Sequence, residues 1–226
     1  MKLNLTIVIA LAMLASLLLA PVWVSALPNV HSVAQAVDEH YNRLRSFEAD
    51  FTQIYAGGGM ERIESGTLRL KKPGKMRWEY RSPEEKLFVS NGTDAWLYLP
   101  QEKQVRKSSL KKLNDLRSPL AFLLGKTKLE KELQGLSFAP DVQAWHVGNV
   151  VLRGVPRGME DRVEQVVLEV GPDSRIARIL IQGRDDSITE YRFSNQKENV
   201  SFPDDQFQFK PPPGTETVDE VAGGGD

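Results

Sequence analysis

Residues 67–81, TLRLKKPGKMRWEYR, read as two strands joined by a turn. Leu68 and Leu70 fall opposite Thr67, Arg69 and Lys71. After Pro73-Gly74, Met76, Trp78 and Tyr80 fall opposite Lys75, Arg77, Glu79 and Arg81. A period of two sends successive side chains to opposite faces of a sheet, so this hairpin has one apolar and one charged face. Upstream, 47–52 (FEADFT) repeats the alternation, with Phe47, Ala49 and Phe51 on one side. Gly57-Gly58-Gly59, Ser82-Pro83 and Asn91-Gly92 supply further turns. Residues 87–89 and 95–99 are apolar on both faces, as expected of strands packed on both sides. A meander of this kind must bury its apolar face against something.

Two helical segments are available to do so. From Asn29 to Arg45, Val30, Val33, Ala34, Val37, Tyr41 and Leu44 recur at steps of three and four, with Asp38, Glu39 and Arg43 outside the stripe. A second region runs from about 108 to 125. Its Leu110, Leu113 and Leu116 are followed by Ser118-Pro119 as a helix start, by Leu120, Phe122, Leu123 and Leu124, and by Gly125 as a stop. Residues 129–136 read as a weak helix or turn. Strands are expected at 142–153 around Trp145 and Val147, at 163–170, 175–182 and 188–194, with a last short edge at Phe207 and Phe209. The plan is a helix, about five strands, a helical insert and about five more strands. An antiparallel sheet of that size curls, which gives a mainly β (α+β) fold: an incomplete antiparallel barrel with helices over its concave apolar face.

Residues 1–26 are of different material. Lys2 is the only charge, an apolar run follows, and Val24-Ser25-Ala26 offers small residues for cleavage, the pattern of a secretory signal peptide removed after about Ala26. The remaining 27–226 suffice for one domain, with 220–226 a frayed tail. Without Lys2 the mature chain carries 28 Lys and Arg against 30 Asp and Glu, a net charge of −2 that gives no reason to expect nucleic acid. The absence of cysteine excludes disulfides, thiolate metal sites and a thioether-linked lipid anchor.

Residues for catalysis are not gathered by the sequence. Three histidines lie in no ligand or triad pattern, the serines lack a G-x-S-x-G context, and the glycine triplet precedes a charged strand instead of a helix. Asp185-Asp186 and Asp204-Asp205 sit where turns are expected. The basic cluster Lys103, Arg106, Lys107, Lys111, Lys112 and Arg117 reads as a solvated face, or as an electrostatic contact for anionic lipid or an acidic partner. No enzyme, metal or cofactor is expected.

Several of these stretches together resemble the LolA family of periplasmic lipoprotein carriers. They are Ser46 to Gln53, Gly66-Thr67-Leu68 leading into Lys71-Lys72-Pro73, Met76-Arg77-Trp78, Val89 to Gly92, Trp96-Leu97-Tyr98, Ser118-Pro119-Leu120 with Leu123-Leu124, and Phe207-Gln208-Phe209 with Pro211 and Gly214. The resemblance implies a half-open barrel closed by a helical lid, with acyl chains in the hollow. It also implies lipoprotein cargo taken from a LolCDE-like inner-membrane transporter and given to a LolB-like outer-membrane acceptor, in the periplasm, by a monomer. The family commonly has arginine before the proline that ends this strand, latching the lid shut. Lys72 stands there in this chain and offers a point charge in place of a planar fork of donors.

On that reading Phe47, Phe51, Leu70, Met76 and Trp78 line the acyl-chain cavity, and Leu120, Phe122, Leu123 and Leu124 fill it when the lid closes. Two other functions fit the same half-barrel: a soluble relay for glycolipid or other lipid, and a lipid-sensing regulatory domain.

Overall fold

The computed structural model describes residues 29–109 and 128–219. The element order is α1 (Val30–Arg43), β1 (Ser46–Gly57), β2 (Met60–Lys71), β3 (Lys75–Ser82), β4 (Lys86–Asn91), β5 (Asp94–Leu99) and β6 (Gln104–Ser109). After the undescribed span come α2 (Leu129–Glu132), β7 (Leu133–Phe138), β8 (Val150–Pro156), β9 (Val163–Val170), β10 (Ile176–Gly183), β11 (Ile188–Glu198), a 3₁₀ turn (Asp204–Phe207) and β12 (Glu216–Asp219). Among the described residues, all twelve strands form one sheet in the order β12-β6-β5-β4-β3-β2-β1-β11-β10-β9-β8-β7. It does not close on itself, so the fold is an open, incomplete barrel with β12 and β7 at its edges. Every pair is antiparallel except β12 with β6. The signal segment, the lid residues Leu120, Phe122, Leu123 and Leu124, and the 220–226 tail lie outside the described residues.

The strand register sorts the residues into two faces. Phe47↔Leu70↔Met76, Ala49↔Leu68↔Trp78 and Phe51↔Gly66↔Tyr80 run across β1, β2 and β3 on the inner face. The same face continues through Phe51↔Phe193 and Gln53↔Tyr191 into β11, and through Ile179↔Leu168 and Leu168↔Leu152 into β10, β9 and β8. The β1–β2 hairpin is longer than the sequence pattern implies. Gly58 and Gly59 both take positive φ (58° and 77°), which a two-residue hairpin turn requires and glycine adopts without strain. Gly66 is needed for space, because a Cβ there would lie 1.7 Å from the carbonyl oxygen of Glu79.

Helix α1 lies on the inner face. Its buried side chains Ala34, Val37 and Tyr41 join one core with Phe47, Phe51, Leu68, Leu70, Trp78, Leu168 and Ile179. Asn29 caps its first turn by accepting the Ser32 N–H (2.7 Å). The Tyr41 hydroxyl accepts the Ile176 N–H (2.9 Å), tying the helix to the start of β10. Asp38 accepts the Leu129 N–H (3.0 Å), tying it to α2. Burial raises the Asp38 carboxyl above its usual range, the hydrogen bond offsetting this in part.

Several sequence expectations are corrected. Residues 142–149 are not strand: Trp145 is 50% exposed and Val147 fully so, and β8 begins only at Val150. The cause is Glu169, fully buried on the outer face of β9, whose carboxylate accepts the N–H groups of Trp145 and His146 (2.8 and 2.9 Å) and the Asn149 amide (2.9 Å). Those N–H groups are thereby taken out of the ladder, and the loop folds over Val151, Val167 and Leu180 as a small outer core. Phe207 and Phe209 form no edge strand. Phe207 is buried in the 3₁₀ turn against Phe202, and Phe209 packs on Trp96 and Tyr98. Pro203 and Pro211–Pro213 remove the donors a strand would need there. This segment is what covers the second face of β4 and β5. The edge is β12 instead, four exposed residues with no alternating pattern to betray them. Residues 133–138 are strand, with helix confined to Leu129–Glu132. Ser108 and Ser109 belong to β6, so a helix drawn from 108 begins too early. The described residues carry six strands on each side of the undescribed span, against the five or so expected.

Candidate functional site

The inner face is a continuous apolar surface contributed by β1–β3 and β8–β11. Alternation puts Phe47 and Phe51 on it from β1, Leu70 from β2, and Met76 and Trp78 from β3, so the five residues assigned to a cavity share one face and one core. Phe47, Phe51, Leu70 and Trp78 are buried, and Met76 is half-buried against them. Their rings interlock: Phe51 meets Trp78 and Tyr80 edge-on (centroids 5.2 and 4.9 Å apart). Trp78 and Tyr80 lie parallel at 5.9 Å, and Tyr191 reaches Trp78 from β11 at 5.7 Å. Edge-to-face and offset contacts of this kind stabilise a rigid aromatic floor beyond the area they bury. The indole Nε1 of Trp78 is buried and makes no hydrogen bond.

Lys72, the residue assigned to the latch, donates from Nζ to the carbonyls of Tyr41 (2.6 Å) and Asn42 (3.2 Å). These carbonyls lie in the last turn of α1, where Tyr41 also accepts the Leu44 N–H (3.3 Å) and a cation is favoured by the helix dipole. Lys72 thus fastens α1 to the β2–β3 turn. The structure brings together the latch and the first helix of the expected cover; the second helix lies outside the described residues.

One group of residues escaped the sequence reading. At the end of the inner face nearest the 57–60 and 83–85 turns, the apolar surface gives way to Gln53, Arg62, Glu64, Tyr80, Lys86 and Tyr191. Glu64 is only 4% exposed. Its carboxylate accepts Lys86 Nζ and lies 3.3 Å from Arg62 Nε. The Tyr80 hydroxyl donates to Gln53 Oε1 (2.7 Å), and the Lys86 ammonium sits 4.5 Å from the Tyr80 ring centre. Burial, and then the charge of Glu64, push the Tyr191 hydroxyl up to about 12. Burial raises Tyr80 as well, with the charges of Tyr191 and Glu64 adding to it. Both phenols therefore stay protonated donors at any physiological pH. The signal that could have found this cluster is register. With the hairpin turn fixed at 58–59, counting back in twos from Leu70 and Leu68 reaches Gly66, Glu64 and Arg62 on the inner face.

Among the described residues, no three His, Asp or Glu side chains are grouped to hold a metal ion, and no helix is long and apolar enough to cross a membrane. The geometry offers an apolar surface with a polar end, suited to binding an elongated amphiphile.

Known proteins can be set beside this description. The chain is 27% identical over 207 residues to an outer-membrane lipoprotein carrier protein of Nitrosomonas europaea, covering 90% of this chain and 94% of that one. It is 27% identical over 214 residues to the protein of the same name in Salmonella paratyphi B, covering 94% and 96%. Among solved structures, the lipoprotein LppX of Mycobacterium tuberculosis shares the fold at a TM-score of 0.51, with 11% identity over 77% of this chain and 97% of that one. The sequence profile of the family described as outer membrane lipoprotein carrier protein LolA matches residues 42–210, which take in β1 to β11, Lys72 and the whole aromatic floor. The chain belongs to the LolA family of outer membrane lipoprotein carrier proteins.

Proposed function

We propose that this protein is a periplasmic, non-enzymatic carrier that holds the acyl chains of lipoproteins against the inner face of its sheet. In this reading it takes them from an inner-membrane transporter of the LolCDE kind and releases them to an outer-membrane acceptor of the LolB kind. The observation that carries the proposal is the continuous apolar inner face built from Phe47, Phe51, Leu70, Met76 and Trp78, in a chain of this family.

Burying an acyl chain gains about 0.8 kcal/mol per CH₂, so a chain of about 16 carbons gains on the order of 10 kcal/mol. Cargo held that tightly would not be passed on. Leu120, Phe122, Leu123 and Leu124 supply the competitor: with the lid closed they occupy the surface the acyl chains need, and net affinity is the difference between two apolar burials. Lys72 acts as the latch by fixing α1.

The test is release of a labelled outer-membrane lipoprotein from spheroplasts incubated with the purified protein. Cargo should appear in the soluble fraction as a one-to-one complex, and only when the transporter is active. A well-folded sample that releases nothing, beside a working control carrier, would refute the reading. Replacing Met76 by Glu places a charge on the half-buried edge of the floor and should abolish uptake while the protein stays folded.

A further inference from the structure

We infer that the polar end of the inner face, formed by Lys86 on Glu64, by Tyr191 and, against the Tyr80 and Tyr191 rings, by the Trp78 indole, is the seat for the ester linkage of a diacylglyceryl ligand, whose chains then run along the aromatic floor toward α1. The inference rests on the carrier reading above and adds to it the ligand's orientation and the group that is recognised.

A purely apolar trough would need none of these residues. A carboxylate at 4% exposure loses most of its hydration, and it persists here because Lys86 and Arg62 both face it. The charges facing one another are Arg62, Glu64 and Lys86, a net of one positive charge. That balance suits acceptors which are neutral or negative, and disfavours a cationic head. The donors are already placed. The Trp78 N–H is buried with no acceptor of its own, which leaves a hydrogen bond to be gained when an acceptor arrives. Tyr191 touches Trp78 and stays protonated, and the Lys86 ammonium has three N–H groups to offer where Glu64 engages one. Ester carbonyls accept and do not donate, so they match this set. Seated there, they would leave the chains lying over Trp78, Phe51 and Leu70, while the rest of the ligand leaves past the 57–60 and 83–85 turns. The cluster is held from below as well: Tyr80 is locked to Gln53 and stacked under Trp78, so the donors are ordered before the ligand binds.

Diacylglyceryl esters occur both in lipoproteins and in phospholipids. Binding of three fluorescent probes should therefore be compared: a diacylglyceryl-cysteine lipopeptide, phosphatidylglycerol, and a pyrene-labelled alkane with no polar group. The purified protein is measured beside Lys86→Met, Tyr191→Phe and the double variant Glu64→Gln/Lys86→Met, which removes both charges together should the single lysine change prevent folding. Each variant is expected to lose about tenfold in affinity for the ester probes and to keep its affinity for the alkane, the equivalent of one or two hydrogen bonds. A loss confined to the lipopeptide assigns the seat to lipoprotein, and a loss shared with phosphatidylglycerol assigns it to the common linkage. Equal affinities of parent and variants for the ester probes, or parallel losses for ester and alkane, would overturn the seat and leave the carrier reading standing. Failure of the parent protein to bind any probe would overturn both.

Discussion

The two faces of the sheet are made from the same strands, yet they are stabilised by different physics. The inner face is held by aromatic and aliphatic packing, with charge admitted only at one end. The outer face of β1–β3 is a lattice of partly exposed ion pairs, in which Arg69 bridges Glu48 (2.7 Å) and Glu79 (3.2 Å) and Lys197 reaches Glu48 (3.0 Å). Two patches depart from that rule, each where a later segment folds back: the 139–149 loop held by Glu169, and the 202–209 segment over β4 and β5. The difference teaches that charge on this molecule matters through burial, not number. The sharpest way to break the comparison is to find an outer-face charge that weighs as much as an inner-face ring.

Glu169 is that candidate. Truncating Phe51 to Ala on the inner face should cost about 3–5 kcal/mol. Glu169→Ala should cost about 3 kcal/mol or more, because the Trp145 and His146 N–H groups and the Asn149 amide lose their acceptor, and Arg178, whose Nε lies 3.0 Å from the carboxylate, keeps only the Gln143 carbonyl and the more distant Glu190. Urea unfolding of both variants checks this. A Glu169 effect below about 1 kcal/mol would return the outer face to a uniform surface lattice. Burial alone would push the Glu169 carboxyl up, but the N–H groups of Trp145 and His146, the Asn149 amide and Arg178 outweigh it and hold it below its usual value. A depressed carboxyl stabilises the fold above its unfolded pKa and loses that contribution as pH falls through the folded one. The contribution should therefore begin to fade as pH falls through the ordinary carboxylate range and be gone below the folded value, and Glu169→Gln should flatten that part of the acid-unfolding profile.

The next test concerns how the inner face is covered. Lys72→Met removes two charge-assisted hydrogen bonds to the end of α1, an expected loss of about 1.5–3 kcal/mol. Hydrogen exchange should quicken in α1 more than in β1 or β2. Lys72→Arg, whose fork can meet both carbonyls, should restore protection. Uniform acceleration over the whole sheet would show that Lys72 stabilises the fold at large and does not act as a fastening for the helix.

Alternation made the inner face legible in advance: Leu68, Leu70, Met76, Trp78, Phe47 and Phe51 all lie where a period of two places them. The strands 163–170 and 188–194 were read for the same reason. The method failed where local pattern is overruled by a distant partner. Trp145 and Val147 alternate like a strand, but Glu169, more than twenty residues on, takes up the N–H groups of Trp145 and His146. Phe207 and Phe209 alternate too, yet prolines on both sides forbid pairing, and packing of Phe207 on Phe202 and of Phe209 on Trp96 and Tyr98 explains their apolar character. Strand β12 has no pattern at all. The polar end of the site was hidden for a simpler reason: Glu64, Lys86 and Gln53 look like outward-facing residues until register puts them inside.

A smaller effect is expected where the chain's end returns to the outer face. Lys71 and Lys75 hydrogen-bond the exposed Asp204 carboxylate (2.6 and 2.7 Å) and lower its pKa to about 2. Its contribution is present above the unfolded carboxylate value and fades as pH falls toward 2. Limited proteolysis between 199 and 215 should therefore increase below about pH 4, where an unpaired aspartate begins to protonate. In Asp204→Asn that increase should already be present at neutral pH. A cleavage rate unchanged in the variant would mean that burial of Phe202 and Phe207 alone holds the segment.

The least effect belongs to Lys197→Ala, and it bears most directly on the comparison. Lys197 is largely exposed, while its partner Glu48 is mostly covered. The Arg69 hydrogen bond is the main cause that keeps the Glu48 carboxyl below its usual range, against the opposing effect of its burial, and Lys197 adds less. Removing Lys197 leaves Arg69 in place, so Glu48 keeps a charged donor and is not stranded. An exposed lysine with that freedom contributes about 0–0.5 kcal/mol, most of it lost at high salt. Measuring the variant at low and high ionic strength separates two outcomes. A small, salt-sensitive change fits an outer face whose pairs act singly. A loss above about 1 kcal/mol that persists in salt would instead mean that Glu48, Arg69, Glu79 and Lys197 act as one cooperative network. In that case the outer face, like the inner one, would be stabilised as a unit, and the distinction between them would rest on chemistry alone.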